Sequence, residues 1–290
     1  EHIKGINYSG VTSISNPGAP QSIGQEITKS DINRVLEQAK SINVSPDRRI
    51  MHILPQKYKI DNKEGIDNPL GLSGHRLEAK VHIVTSEINT EKDIATCMNK
   101  VGIKINDFVL EPLASSYSAL DSNEKELGSI LIDIGGGTTD IIIFNNNSVL
   151  HTGVIPIGGV NITKDIAYAI QTSIDQAELL KCEFGNSKVS LSSDDNNIVV
   201  KGVGGRKEYK ISQKILAQII EPRMEEIFNL AKNEIDKSDF KGEYTFGVVL
   251  TGGGSQMTNL IELATEIFKM PIKVSNPIID INNNGKESKV

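Results

Sequence analysis

Tryptophan is absent from the sequence, and aromatic residues make up only 4% of its 290 positions. No apolar run approaches the ~20 residues that a membrane-spanning helix needs, and the N-terminus lacks a signal-peptide pattern. Basic residues are outnumbered by acidic ones, 31 to 37, which gives a net charge of −6. Because binding to a nucleic-acid backbone requires clustered lysine and arginine, this balance argues against a nucleic-acid partner.

Cysteine is scarce as well. The sequence has two, Cys97 and Cys182, and their separation fits no metal-ligand spacing. Each lies in a segment with a helical pattern, so we expect two buried free thiols in a reducing cytoplasm. The sequence also opens without an initiator methionine and in a strand-like pattern, which predicts a piece of a longer protein.

The length and the 38% hydrophobic content are sufficient for a large core and for about two domains. Residues 1–86 predict a small α/β unit. Within it we expect a helix that is capped by Ser30, with strands over residues 49–54 and 57–60.

Farther along the chain, Thr90 and Asp93 have the spacing of a capping box at the start of a helix that ends at Gly102. A strand is predicted over residues 105–110. A long amphipathic helix is predicted over residues 212–235.

The most informative stretch is residues 129–144, SILIDIGGGTTDIIIF. Its two β-branched runs are joined by three glycines, which predicts two adjacent strands. Consecutive glycines bring backbone N–H groups against a ligand with no Cβ in the way, as a polyphosphate requires. Asp133 and Asp140 flank the turn, so one carboxylate can hold a hydrated Mg²⁺ while the other orients an attacking water.

An ordinary hairpin with a permissive turn would explain the glycines alone. Such a hairpin rarely needs two threonines and two acids around the turn, so we favour a phosphate site. The stretch is neither a P-loop nor a dinucleotide-binding fingerprint, because no Gly-Lys-Ser/Thr follows and no helix opens directly after the glycines.

A second glycine loop lies in residues 245–254, TFGVVLTGGG, and a helix is predicted to begin near Ser255. A strand, glycines and a helix N-terminus in that order form an anion or nucleotide site from backbone N–H groups. Together, the two loops predict one nucleotide site.

Three charged residues outside the loops are further candidates. Glu111 precedes Pro112 at a predicted strand-to-helix junction, where a carboxylate can position a water or merely complement the helix N-terminus. The residues alone do not decide between these two roles. Glu178 and Lys181 share a helix face, so they can bracket a nucleoside or form an exposed ion pair, and without context the ion pair is the better interpretation.

The order of elements resembles the actin-like ATPase fold, and several segments are similar to the FtsA family of bacterial cell-division proteins. One is residues 68–85, which match that family's inserted subdomain 1C. The others are Val203–Arg206, Ile220–Arg223 and Val249–Gly254.

This resemblance implies a two-lobed α/β actin-like fold with an FtsA-type 1C subdomain. The subdomains would be 1C (1–86), the remainder of 1A (87–127), 2A (128–160 and 243–290) and 2B (161–242).

The resemblance also implies ATP and Mg²⁺ between the lobes. The second phosphate loop would consist of Asp133, Gly135, Gly136, Gly137, Thr138 and Thr139, with Asp133 on the Mg²⁺ side. Asp140 would lie near the hydrolytic water and Glu111 would orient that water. Glu178 and Lys181 would contact the ribose and adenine, and the adenosine loop would be Gly252, Gly253 and Gly254. Hydrolysis would be slow at most, since ATP serves this family mainly as an assembly ligand.

In such a family the protein would polymerise head to tail and tether the FtsZ ring to the cytoplasmic face of the cell membrane at the division site. The FtsZ C-terminal tail would dock on 2B, with Arg223 as a candidate contact, and other divisome proteins would bind through 1C. The family's first phosphate loop and its C-terminal membrane helix are missing from this sequence, which ends in polar residues 279–290. Contact with the inner membrane is therefore expected of the full-length protein only.

Two other classes share these features. An actin-like scaffold of another system, such as a pilus-assembly adaptor, would carry the loops and a 1C-like insertion but would not bind an FtsZ tail. A small-molecule kinase of the same superfamily would need a catalytic aspartate outside the phosphate loops, and the sequence offers no convincing candidate.

Overall fold

The computed structural model describes residues 2–14, 24–195, 197–202, 207–238 and 244–276. The FtsA-like segment Val203–Arg206 and the polar residues 279–290 lie outside the described residues.

The described strands are β1 Ile3–Ser13, β2 Gln25–Glu26, β3 Arg48–Ile60, β4 Lys63–Ile66, β5 Ser73–Gly74, β6 Arg76–Glu87, β7 Ser129–Ile134, β8 Thr139–Asn145, β9 Ser148–Ile155, β10 Ile198–Val200, β11 Tyr209–Ile211, β12 Gly247–Thr251 and β13 Ile272–Val274. The described α-helices are α1 Lys29–Ala39, α2 Ile88–Lys100, α3 Glu111–Ala119, α4 Ser122–Leu127, α5 Gly159–Ala169, α6 Ile174–Phe184, α7 Gln213–Asp236 and α8 Leu260–Phe268. Two 3₁₀ turns span Val189–Leu191 and Gly253–Gln256.

An antiparallel sheet of four strands, in the order β1-β6-β3-β4, dominates the first part of the chain. Helix α1 packs on it through Val35 and Ala39, which are fully buried. The cap of this helix is Thr28, not Ser30, because Thr28 and Asp31 exchange both hydrogen bonds of a capping box. The two predicted strands over 49–54 and 57–60 form one continuous strand, β3, whose register shifts at two places.

A mixed sheet of five strands, in the order β13-β12-β7-β8-β9, forms the centre of the second part. Strands β13, β12 and β7 are parallel neighbours, and β7, β8 and β9 are antiparallel. Every residue of β7 is buried, since both faces of the sheet are covered. One face packs with residues of helices α5, α6, α7 and α8 and the other with residues of α3. Burying one such leucine or isoleucine side chain contributes about 1.5–3 kcal/mol.

The two sheets meet at β9. The Gln56 side chain donates to the Val149 carbonyl at 2.8 Å, and Nε2 of the buried His82 lies 2.9 Å from the Thr152 hydroxyl. His82 is thus a structural histidine whose two ring nitrogens both have hydrogen-bond partners, Asn7 and Thr152.

Two local predictions between residues 87 and 110 are wrong. Thr90 and Asp93 do not form a capping box, because α2 begins at Ile88 and its N-cap residue, Glu87, makes no side-chain cap bond. Residues 105–110 do not form a strand, since a strand requires a neighbouring chain for its hydrogen bonds and the described residues supply none there. The end of α2 is as predicted, with Gly102 at a φ of +77°.

The long helix α7 begins one residue after its cap, Ser212, whose side chain accepts from the Ile215 N–H. This agrees closely with the predicted range. The cysteines do not follow the prediction, since Cys97 and Cys182 are both free but exposed. In the described part of the chain, no helix combines the length and the apolarity needed to cross a membrane.

Candidate functional site

The turn between β7 and β8 is tied to the first turn of helix α5. The Gly135 N–H donates to the Thr138 carbonyl at 2.9 Å, which closes the turn. The carbonyls of Gly135 and Gly136 in turn accept from the N–H groups of Gly159 and Val160 at 2.9 and 2.8 Å. These two hydrogen bonds fix the backbone of the turn against the first residues of α5.

The glycines of the two loops fall into two groups. At Gly252, which has a φ of +83°, a Cβ would lie 2.3 Å from the Asp133 carboxylate, and at Gly254 it would lie 2.3 Å from the Ile134 side chain. These glycines are needed for the second loop to pack on the end of β7. At Gly137 and Gly253 a Cβ would meet nothing within 4 Å, so the backbone there faces open space.

The two carboxylates next to the turn lie on one face of the sheet, because Asp133 and Asp140 are directly paired across β7 and β8. Asp133 accepts from the Ser115 hydroxyl of α3 at 2.5 Å, and Asp140 accepts from the Thr138 hydroxyl at 2.9 Å. Burial raises the pKa of Asp140 to about 6; the Thr138 hydrogen bond opposes this, and the charges of Glu111 and Asp133 add to it.

Glu111 lies at the first position of α3, after the N-cap residue Leu110. Together with Thr138 and Asp140 it lines a cavity of about 560 Å³. The structure therefore brings the two predicted catalytic carboxylates to one space.

Thr139 lies on the other face of the sheet from Asp140. It is fully buried, and its hydroxyl donates to the Ile157 carbonyl at 2.8 Å. Its side chain fixes the segment between β9 and α5 and lines neither of the two cavities described here.

A second cavity, of about 380 Å³, lies beyond the glycines. It joins three segments that are far apart in sequence: the β7–β8 turn, helix α6 and the loop after β12. Its lining includes Gly135, Gly136, Gly159, Glu178, Lys181, Cys182, Gly253, Gly254 and Met257. Gly137 and Gly252 are beside this space without lining it.

Helix α6 forms one wall of this cavity and carries the two predicted residues Glu178 and Lys181. The Lys181 ammonium lies 2.8 Å from Oε2 of Glu178, so the ion pair that the sequence favours is formed. Partial burial would raise the pKa of Glu178, but the hydrogen bonds from Lys181 and Thr163 hold that pKa below its ordinary value. Lys181 is the more enclosed partner, with 12% of its side chain exposed against 47% for Glu178.

The loop after β12 differs from its prediction in one respect. Gly253–Gln256 form a 3₁₀ turn, and helix α8 begins at Leu260 instead of near Ser255. Asn259, with a φ of 59°, separates the two. The backbone of this loop, and not the N-terminus of an α-helix, therefore faces the cavity.

Two residues of the site, Ser115 and Thr163, were not predicted from the sequence. Ser115 lies one turn after Glu111 on α3, and Thr163 lies one turn after Gly159 on α5. Their only local signal is this helical spacing, and it becomes meaningful only once the helices are known to face the loops.

Arg223 lines neither cavity. On α7, its guanidinium makes two bonds to the Asp165 carboxylate of α5, at 2.6 and 3.0 Å, and it also pairs with Glu226. It is 28% exposed, so it joins two helices and still reaches the surface.

Comparison with known proteins identifies the family. The family model described as cell division protein FtsA matches residues 130–288, and the model of the SHS2 domain inserted in FtsA matches residues 1–85. The cell division protein FtsA of Pseudomonas aeruginosa is 42% identical over 276 residues, which are 95% of this chain. The chain spans 64% of the length of that relative.

Solved structures agree on the fold. A chain of the PilM–PilN type IV pilus biogenesis complex superposes with a TM-score of 0.60 and 16% identity. The match covers 94% of this chain and 66% of that chain. MreB5 of Spiroplasma citri bound to ADP superposes with a TM-score of 0.55 and 23% identity. That match covers 66% of this chain and 60% of the MreB5 chain. These likenesses confirm the predicted actin-like α/β fold. The chain itself, by its family models and its curated relative, belongs to the FtsA family of bacterial cell-division proteins.

Proposed function

We propose that this chain binds ATP, together with Mg²⁺, between its two glycine loops. The observation that carries the proposal is the convergence of the β7–β8 turn, helix α6 and the loop after β12 on one cavity of about 380 Å³. Small-molecule sites are typically about 300–1,000 Å³ and carry a few convergent polar groups. That MreB5, which shares the fold, has been solved with ADP bound supports a nucleotide as the ligand.

The phosphates would lie along the glycines. The N–H groups of Gly136 and Gly137 have no hydrogen-bond partner among the described residues, and successive free N–H groups in a turn form an anion site. The open space at Gly137 and Gly253 is room that a side chain would fill. The Thr138 hydroxyl, at the end of the turn, donates to Asp140 and would join these donors once its hydrogen turns from that carboxylate to a phosphate oxygen.

Asp133 would hold the Mg²⁺ through its water shell. Mg²⁺ usually keeps several waters and is bound by one or two carboxylates plus phosphate oxygens. Within the described residues there is no group of three or more histidine, cysteine, aspartate or glutamate side chains that could hold a metal ion without a ligand. A metal site completed by the nucleotide is consistent with that finding.

The nucleoside would occupy the cavity wall formed by α6 and the second loop. Glu178 would accept from the ribose hydroxyls, and Lys181 would lie beside it near the adenine. The backbone of Gly253 and Gly254 would form the opposite wall, with Gly252 next to them. Met257, at the end of the second loop, adds an apolar surface for the base.

Hydrolysis would take place on the other side of the glycines, where Glu111 and Asp140 line the same cavity. With a pKa of about 6, Asp140 is mostly ionised at neutral pH and can accept a proton from a water that Glu111 orients. We propose that this activity is slow at most, with ATP mainly an assembly ligand.

In the cell, we propose the role implied by the family for the whole protein. It would polymerise, tether the FtsZ ring to the cytoplasmic face of the membrane and bind other divisome proteins through residues 1–86, its proposed subdomain 1C. The FtsZ tail would dock on residues 161–242, the proposed 2B, near Arg223. The remaining subdomains would be 1A (87–127) and 2A (128–160 and 243–290).

Titration of a fluorescent ATP analogue, with and without Mg²⁺, tests the nucleotide site. Gly253→Ala should leave the fold intact, because a Cβ there meets nothing within 4 Å, yet it should weaken binding by about tenfold since the methyl enters the space of the ligand. Asp133→Asn should remove most of the Mg²⁺-dependent part of the affinity.

The matched control is Asp175→Asn, which removes an exposed carboxylate from the first turn of α6 outside the cavity. It should bind like the wild type. If Gly253→Ala also binds like the wild type, the ligand does not occupy this cavity and the proposal is wrong.

A further inference from the structure

Lys181 and Glu178 are not equally available to a ligand. The Lys181 ammonium has three hydrogens, and three protein acceptors surround it: Oε2 of Glu178 at 2.8 Å, the Thr163 hydroxyl at 3.0 Å and the Gly159 carbonyl at 3.2 Å. Its donors are therefore occupied within the chain. A ligand would have to displace one of these bonds to reach it.

Glu178 keeps one oxygen open. Its Oε2 receives Lys181 and the Thr163 hydroxyl, whereas Oε1 receives only the weak S–H donor of Cys182, at 3.4 Å, among the described residues. Oε1 is thus the polar atom of this pair that remains able to accept from a ligand hydroxyl.

Thr163 lies at the centre of this arrangement. It is 2% exposed, on the side of α5 that faces α6. Its single hydroxyl hydrogen has two acceptors in reach, the Gly159 carbonyl one turn earlier and the Glu178 carboxylate. The charged carboxylate is the stronger acceptor, so the hydrogen goes to Glu178.

Gly159 links the Lys181 ammonium to the glycine turn that is proposed to bind the phosphates. The Gly159 carbonyl accepts from Lys181, while the Gly159 N–H donates to the Gly135 carbonyl in the β7–β8 turn. One residue, Gly159, and the Thr163 hydroxyl therefore connect the glycine turn with Glu178 and Lys181.

We propose that Thr163 is a positioning residue for nucleoside recognition: it fixes Oε2 of Glu178, so that Oε1 accepts from the ribose hydroxyls. This inference rests on the proposed nucleotide function. A positioning role differs from a purely structural one, because its loss changes which nucleotide is preferred and not merely how much folded protein is present.

The test compares ATP with 2′-deoxy-ATP in wild type, Thr163→Val and Thr163→Ser. Valine keeps the shape of threonine without the hydroxyl, and serine keeps the hydroxyl. We expect the wild type to prefer ATP by about tenfold, the effect of one hydrogen bond to a charged group. Thr163→Val should abolish this preference and Thr163→Ser should keep it. A preference that persists in Thr163→Val, or that is absent from the wild type, overturns the proposal.

A measurement without nucleotide separates this proposal from the proposed function. In a Cys97→Ser background, Cys182 is the single thiol, and it is exposed to a maleimide reagent. Burial and then the adjoining Glu178 raise the pKa of Cys182, so release of Glu178 in Thr163→Val should speed its modification several-fold, with Thr163→Ser unchanged. Failure of the wild type to bind either nucleotide would refute the proposed function. An unchanged thiol rate in Thr163→Val would refute the positioning role.

Discussion

Replacement of Asp140 by asparagine should stabilise the protein, by an amount that depends on pH. The pKa of the carboxyl is raised from its ordinary 3.8 to about 6 in the folded chain, mainly because it is buried. Between these values the folded protein holds a proton that the unfolded chain has lost. Stability contributed by this group is therefore lost as the pH rises from about 4 through 6.

The magnitude follows from the two pKa values. The difference between 3.8 and about 6 corresponds to about 3 kcal/mol once the group is ionised in both states, and to about half of that at pH 5. Asparagine is neutral at every pH, and its side-chain oxygen can still accept from Thr138. We therefore expect the advantage of Asp140→Asn over the wild type to be about 0.5 kcal/mol at pH 4 and to reach about 3 kcal/mol at pH 8.

The assay is urea unfolding followed by circular dichroism, because the chain has no tryptophan. It is run without nucleotide or Mg²⁺ at pH 4, 5, 6 and 8 in both proteins. The comparison between variants is essential, since burial and the nearby His151 lower the pKa of His82 to about 4. That group destabilises the folded state as the pH falls from 6.5, which is opposite in sign to Asp140.

Glu111→Gln provides a second check. The charge of Glu111 contributes to the raised pKa of Asp140, so its removal should stabilise the protein at pH 8 by less than Asp140→Asn does. The double variant should gain less than the sum of the two. An Asp140→Asn advantage that is the same at pH 4 and pH 8, or a loss of stability at pH 8, would refute the reasoning.

Two further predictions concern other residues. Gly252→Ala should lower the free energy of unfolding by about 1–3 kcal/mol, because its Cβ would press on Asp133 at a φ of +83°, whereas Gly253→Ala should leave it unchanged; equal losses in urea unfolding would contradict this. Arg223→Ala should weaken binding of a labelled FtsZ C-terminal peptide by about tenfold in an anisotropy titration, as expected of one interface anchor, while Lys232→Ala on the same helix and a scrambled peptide serve as controls. Unchanged affinity in Arg223→Ala would remove Arg223 from the interface.

The local parts of the site were predictable from sequence. Two runs of β-branched residues with three glycines between them are sufficient to predict the β7–β8 hairpin, and the pairing of Asp133 with Asp140 follows from it. The second glycine loop after β12 is equally local. That β12 lies directly beside β7 is not, because more than a hundred residues separate them and no short-range pattern encodes the pairing.

Each wrong prediction has its own physical reason. The segment 105–110 has the composition of a strand, but a strand also needs a neighbour in the right place. Helix α8 begins late because Asn259 adopts the left-handed conformation, which the preceding glycines do not reveal. Cys97 and Cys182 are exposed although their segments are helical, since the helical period alone does not say which face is covered.

The division of the site into two cavities is a consequence of strand alternation. Side chains two apart on a strand share a face, so Leu131 and Asp133 point to one side of the sheet and Ile132 and Ile134 to the other. Asp140, paired with Asp133, necessarily joins the first side, which is the side of α3 with Glu111 and Ser115. Helices α5 and α6, with the Glu178 pair, pack against the second side. The β7–β8 turn joins the two sides at the end of the sheet, and the backbone faces open space there, since a Cβ at Gly137 would meet nothing within 4 Å.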